Sequence, residues 1–137
     1  MSRVLAVATV ILVASGAADI ALAGGLDGTA PVVCATAETF DCASGGQCVA
    51  DSPEAINLPR LIRFDFAAKK AFTKRASGEE RVAAINLQES QNGELILQGI
   101  QNGFAWSMAI SQESGDMSLA IAGGGAGLVV FGSCMAM

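Results

Sequence analysis

Turn signals punctuate the last third of the chain at Asn92-Gly93, Asn102-Gly103, Ser114-Gly115 and Gly123-Gly124-Gly125. Runs of alternating apolar residues fill the intervals. Asn and Gly accept the positive φ angles that tight hairpin loops demand, and a period of two puts one set of side chains on each face of a strand. A chain punctuated in this way folds as an antiparallel meander.

The loops also predict the register. A two-residue type I′ loop at Asn102-Gly103 sets Leu95 opposite Ile110, Leu97 opposite Met108 and Gly99 opposite Trp106, where a glycine leaves room for the indole. A two-residue loop at Ser114-Gly115 sets Ile110 opposite Leu119 and Met108 opposite Ile121. A loop tipped by Gly124-Gly125 sets Ile121 opposite Leu128 and Leu119 opposite Val130. At Asn92-Gly93 a two-residue loop would expose Leu87. A three-residue loop, Gln91-Asn92-Gly93, is therefore expected, with Leu87 opposite Leu97 and Ile85 opposite Gly99.

Upstream, Val32 to Asp41 reads as a strand with a short partner at Gln47 to Ala50, and Gly24 to Ala30 as a flexible start. Ser52 and Pro53 can open a helical turn that Pro59 must stop. Leu61 to Phe66 alternates, with Ile62, Phe64 and Phe66 on one face, and Ala71 to Arg75 returns beside it. The fold class is all-β: an antiparallel meander of about eight or nine short strands forming a small barrel or sandwich. At most one short helical turn, near 53–57, is expected outside the N-terminal segment. The expected core is Ile62, Phe64, Phe66, Ile85, Leu87, Leu95, Leu97, Trp106, Met108, Ile110, Leu119, Ile121, Leu128 and Val130.

Residues 1–23 read as a signal peptide. Arg3 supplies the positive charge, Val4 to Ala14 the apolar stretch, and Ala21-Leu22-Ala23 the cleavage site. Residues 24–137 then form a single disulfide-stapled β domain, periplasmic or secreted. Four cysteines in an exported chain imply two bridges. Cys42–Cys48 would close the turn Ala43-Ser44-Gly45-Gly46-Gln47, and Cys34–Cys134 would tie the first strand to the last.

Charge is unevenly spread. All seven basic residues after Arg3 lie between Arg60 and Arg81, against three acids there, a local net charge of +4, while the whole chain is −5. The overall balance argues against nucleic acid as a partner. The basic hairpin, through Arg63, Lys69, Lys70, Lys74 and Arg75, could attract an anionic partner, or simply be a solvated edge that blocks strand-to-strand aggregation.

The same register leaves a second face bearing Ile96, Ile100, Ala105, Ala109, Ala120, Ala122, Val129 and Phe131, with Glu94 as its one charge. Antiparallel sheets normally turn polar residues outward. Either the N-terminal strands or a second layer cover this face, or it lies open as a partner or self-association site.

Catalytic chemistry finds little support. The chain has no histidine and no tyrosine, which removes the commonest general base and His-based metal sites. Glu79-Glu80 and Glu38/Asp41 face apart on strands, and Asp65 pairs with Arg63. Gly123 to Gly127 lacks the lysine of a phosphate loop. No catalytic residue, metal or cofactor is expected, and no membrane span after the signal peptide.

The spacing Cys34, Cys42, Cys48, the stretch from Ile56 to Phe66, and the segments Gly103 to Ile110 and Gly127 to Cys134 resemble small exported proteobacterial proteins of unknown function. The resemblance implies export and a stapled β domain, and it transfers no catalytic residue. Lysozyme-inhibitor barrels of the periplasm share the general plan, but their inhibitory motif is absent. The expected function is an exported, non-catalytic binding module that meets a protein or anionic envelope partner. The alternative is a small-molecule carrier that uses a barrel interior.

Overall fold

The computed structural model describes residues 25–137, so the signal-peptide reading of 1–23 lies outside the described residues. The chain forms one antiparallel sheet of β1 (Val32–Ala43), β2 (Val49–Asp51), β3 (Leu61–Asp65), β4 (Lys70–Lys74), β5 (Glu80–Ala84), β6 (Leu87–Gln91), β7 (Glu94–Gln101), β8 (Phe104–Ser111), β9 (Asp116–Gly123) and β10 (Ala126–Ala136). The strand order is β5-β4-β3-β1-β10-β9-β8-β7-β6, with β2 on β1 beside β3. The sheet is curled into a half-barrel around one hydrophobic core. The expected helical turn is a run of turns instead. Ser52 receives the Ala55 N–H on its hydroxyl at 3.3 Å, and Pro53 O accepts from Leu58 N at 2.7 Å.

The two sheet edges meet through the chain itself. β5 ends at Ala84 and β6 starts at Leu87, at opposite ends of the strand order. Between them Ile85 N–H donates to Lys69 O at 2.9 Å and Asn86 N–H to Gln98 O at 2.8 Å. This crossover makes Ile85 a core residue, only 5% exposed.

The Asn102-Gly103 hairpin has the expected register, including Gly99 opposite Trp106. Its φ values of 51° and 81° fit a type I′ loop. The β9–β10 register is also as expected. Two other loops differ. Asn92 and Gly93 both take positive φ, 52° and 80°, and form a two-residue loop. Leu87 therefore stands opposite Gln98 and is only half-buried, while Gln88 takes the place opposite Leu97. Ile85 does not pair with Gly99, because the crossover at Ile85-Asn86 breaks the parity that a continuous strand would impose. The β8–β9 loop spans Gln112 to Gly115, with Gly115 N–H donating to Ser111 O at 2.9 Å. Ile110 thus faces Met117, and Met108 faces Leu119. The shift is two residues, so each side chain keeps its face and only the partners change.

Both expected disulfides are present. Cys34 and Cys134 are direct cross-strand partners on β1 and β10, with Cα atoms 4.0 Å apart. Cys42–Cys48 closes the β1–β2 turn. Two bridges are compatible with an oxidising compartment outside the cytoplasm.

The segment read as a flexible start is anchored. Leu26 is 2% exposed within the core. Gln112 Nε2 donates to Leu26 O at 3.1 Å and Gln88 Nε2 to Gly28 O at 3.0 Å. Gln88 stands opposite Leu97 at the exposed edge of the sheet, and its amide ties this segment down. The core also takes Val32, Ala71 and Met117, which alternation alone did not single out.

Candidate binding hollow

Three inward rows cross β10, β9, β8 and β7 in register. The first is Gly132–Met117–Ile110–Leu95, the second Val130–Leu119–Met108–Leu97, the third Leu128–Ile121–Trp106–Gly99. Every side chain of the first two is buried, whereas Leu128, Ile121 and Trp106 are only half-buried. The barrel is therefore dry at the Leu26 end and open at the other.

The open end holds a hollow of about 360 Å³. Its floor includes Phe64, Trp106, Met108 and Leu119, and its rim Asn57, Pro59, Arg81 and Gln101. The rim loop between β2 and β3 is held by Thr36, whose hydroxyl donates to Pro59 O at 2.9 Å and whose N–H donates to Arg60 O at 2.9 Å. A bulge between Thr36 and Glu38 lets β1 keep Cys34 and Thr36 inward and then bring Thr39 inward too. A second hollow of about 330 Å³ shares Ile56, Phe104, Ile121 and Leu128 with the first and carries Asp41.

Trp106 is not the filled core residue expected. Its ring sits 6.5 Å from Phe64 and packs on Gly99, where any Cβ would collide with the indole and come within 2.5 Å of Ala84 O. Its Nε1–H is buried with no acceptor among the described residues. Such a donor costs roughly 1–3 kcal/mol until something accepts from it.

Among the described residues, Arg81 is the one charged residue lining the first hollow. It lies half-buried on β5 opposite Thr73, and no described carboxylate pairs with it. The sequence reading grouped it with the basic hairpin. The missed signal is parity: Arg81 and Ala83 face in while Glu80, Val82 and Ala84 face out.

The basic residues named from the sequence are spread out. Arg63 lies 4.2 Å over the Phe72 ring and 3.9 Å from Asp65. Lys70 stands opposite Asp65 and Lys74 opposite Glu80. Lys69 sits in the β3–β4 turn with φ 52°. Arg75 donates to Glu79 at 3.2 Å, while its Nε is buried without a partner. Four of these five thus have an acidic neighbour.

The apolar second face is the barrel's outer surface, and no second layer covers it among the described residues. Phe131, Ser118, Ala109 and Ile96 form one row across it. Ile100 is 68% and Phe131 43% exposed, and Ile96 and Val129 are half-buried. Phe40 packs edge-on to Phe131 at 6.1 Å.

Two carboxyls are perturbed, both exposed and neither lining the hollow. Thr29 hydrogen bonds hold Asp27 below the usual carboxylate range, and the Arg60 guanidinium does so for Glu54. Among the described residues, no group of three or more His, Cys, Asp or Glu could hold a metal ion, and no helix is long and apolar enough to cross a membrane. No protein family, curated protein or solved structure matches the chain.

Proposed function

We propose that this chain is an exported, non-catalytic carrier that holds a small, largely apolar molecule in the open end of its barrel. The observation that carries the reading is the hollow itself, about 360 Å³, walled by Phe64, Trp106, Met108 and Leu119 with a few polar groups at its rim. Ligand sites run to ~300–1,000 Å³ and combine apolar walls with a few placed polar groups. The two disulfides and the signal-like residues 1–23 support a periplasmic or secreted setting.

The test is a nitrogen–proton NMR titration with decanol as the probe. A saturable shift of the Trp106 indole resonance, with changes at Met108, Leu119 and Leu128, is expected. No saturable change at the indole while the chain stays folded would refute the reading.

A second reading rests on Ile100 and Phe131, which are large, apolar and open on the outer face. It makes that face a docking surface for a protein or envelope partner, or for a second copy. Insensitivity of such binding to salt points to the apolar face, and steep salt dependence to the hairpin of Arg63, Lys69, Lys70, Lys74 and Arg75.

A further inference from the structure

We infer that the molecule held in the hollow is an amphiphile with a single anionic head, which Arg81 receives at the rim while the apolar body lies against Trp106, Met108 and Leu119. The inference rests on the carrier reading and adds the ligand's charge and orientation. A hollow lined by Phe64, Trp106, Met108 and Leu119 suits hydrocarbon. The half-buried guanidinium at this rim has no described carboxylate to pair with, which leaves its donors free for an anion. The contrast with Arg60, Arg63 and Arg75 is direct, since each of those has Glu54, Asp65 or Glu79 beside it. The acid nearest in sequence, Glu80, points to the outer face opposite Lys74.

The surroundings favour an anion further. Asn57, Thr73, Gln101 and Asn102 line the same hollow as neutral groups able to donate hydrogen bonds. Its walls otherwise lack charge, and low polarity strengthens a charge pair relative to water. A guanidinium can grip a carboxylate or a phosphate ester with two parallel hydrogen bonds. Asp41, in the adjoining hollow, would repel an anion placed on that side and so favours the Arg81 end for the head.

The chain has one tryptophan and no tyrosine, so its intrinsic emission reports on Trp106 alone. Titrating the disulfide-intact chain with decanoate, decyl phosphate, decanol and decylammonium, each below its micelle concentration, separates the cases. Decanoate is expected to bind about tenfold or more tightly than decanol, as a charge-assisted hydrogen bond allows. That preference should shrink as salt rises. Arg81→Gln should bring decanoate down to the decanol affinity and leave decanol unchanged. Decyl phosphate binding more tightly than decanoate would support the anionic head and assign it to a phosphate ester. Equal affinity for decanoate and decanol, or tightest binding of decylammonium, would overturn the inference while leaving the carrier reading intact. Binding of none of the four would remove both. The ranking on the unaltered chain decides the matter even if Arg81→Gln folds poorly.

Discussion

At one end of the barrel, Leu26, Val32, Cys34, Leu95, Ile110 and Met117 meet with almost no exposure, and Cys134 N–H donates to Gly115 O at 2.7 Å across the base. At the other end, two rows further along the same strands, Trp106, Ile121 and Leu128 are half-open around a hollow. The strands and their alternation do not change between the two ends. What changes is the closure. A leading segment and a disulfide fill the first end, whereas a loop from Ile56 to Pro59 only rims the second. Inward-facing apolar residues are thus necessary for a packed interior and not sufficient for one. A separate element must seal each end, and here only one end has it.

The largest effect that can break this contrast lies in the bridges. Cys34–Cys134 closes a loop of separation 100 and Cys42–Cys48 one of 6. In the chain-entropy treatment, replacing the first pair by serine costs about 4–5 kcal/mol and the second about 2 kcal/mol. Urea unfolding midpoints of the two double variants should fall in that order. Equal losses would mean that the closed end owes nothing special to its bridge.

Truncations compare the two ends more finely. Leu26→Ala should cost roughly 2–4 kcal/mol, because it opens a void in a dry core. Leu128→Ala should cost about 1 kcal/mol, because its side chain already borders open space. Calorimetry of the pair checks the gap, and a reversed order would place the packed end wrongly. On the outer wall, Ile100→Asp should cost no more than about 1 kcal/mol, and Phe131→Asp about 1–2 kcal/mol because it also loses its edge-on contact with Phe40. Collapse of the monomer would show that face to be core.

The smallest effect is acid sensitivity. Hydrogen bonding lowers the folded pKa of Asp27 and Glu54. A lowered pKa contributes stability at pH values above the unfolded one, and that contribution is lost as pH falls through the folded value. Melting temperature should hold steady from neutral pH down to the ordinary carboxylate range and slip only below it. Glu54→Gln should remove part of the slip, since Glu54 ties the rim loop to Arg60.

Much of the C-terminal half was legible because turn chemistry and alternation act locally. Asn102-Gly103 demands positive φ at two adjacent residues, and one register follows from it. The cysteine pairing was legible as well, because one pair flanks a short turn and the other had to join the ends. Reading failed where distant contacts decide. Asn92-Gly93 formed the tighter loop, and the register it sets brings the Gln88 amide to Gly28 O sixty residues away. Leu26 gave no periodic signal, since an anchored plug has no repeat to show. The hollow was illegible for a related reason, since it depends on what caps the barrel, which alternation does not encode. The inward turn of Arg81 was there to be read in the alternation of β5. The exposed outer row was read correctly as a face, and its openness followed only from the absence of a covering layer among the described residues.

The most direct test of the open end is to fill it. Ala83 lines the hollow and packs only partly against the core. Ala83→Leu should leave the urea midpoint unchanged or raise it, and should abolish the decanol-induced shift of the Trp106 indole. A loss of about 1–3 kcal/mol, as overpacking a filled interior produces, with the decanol response of the unaltered chain retained, would contradict the account.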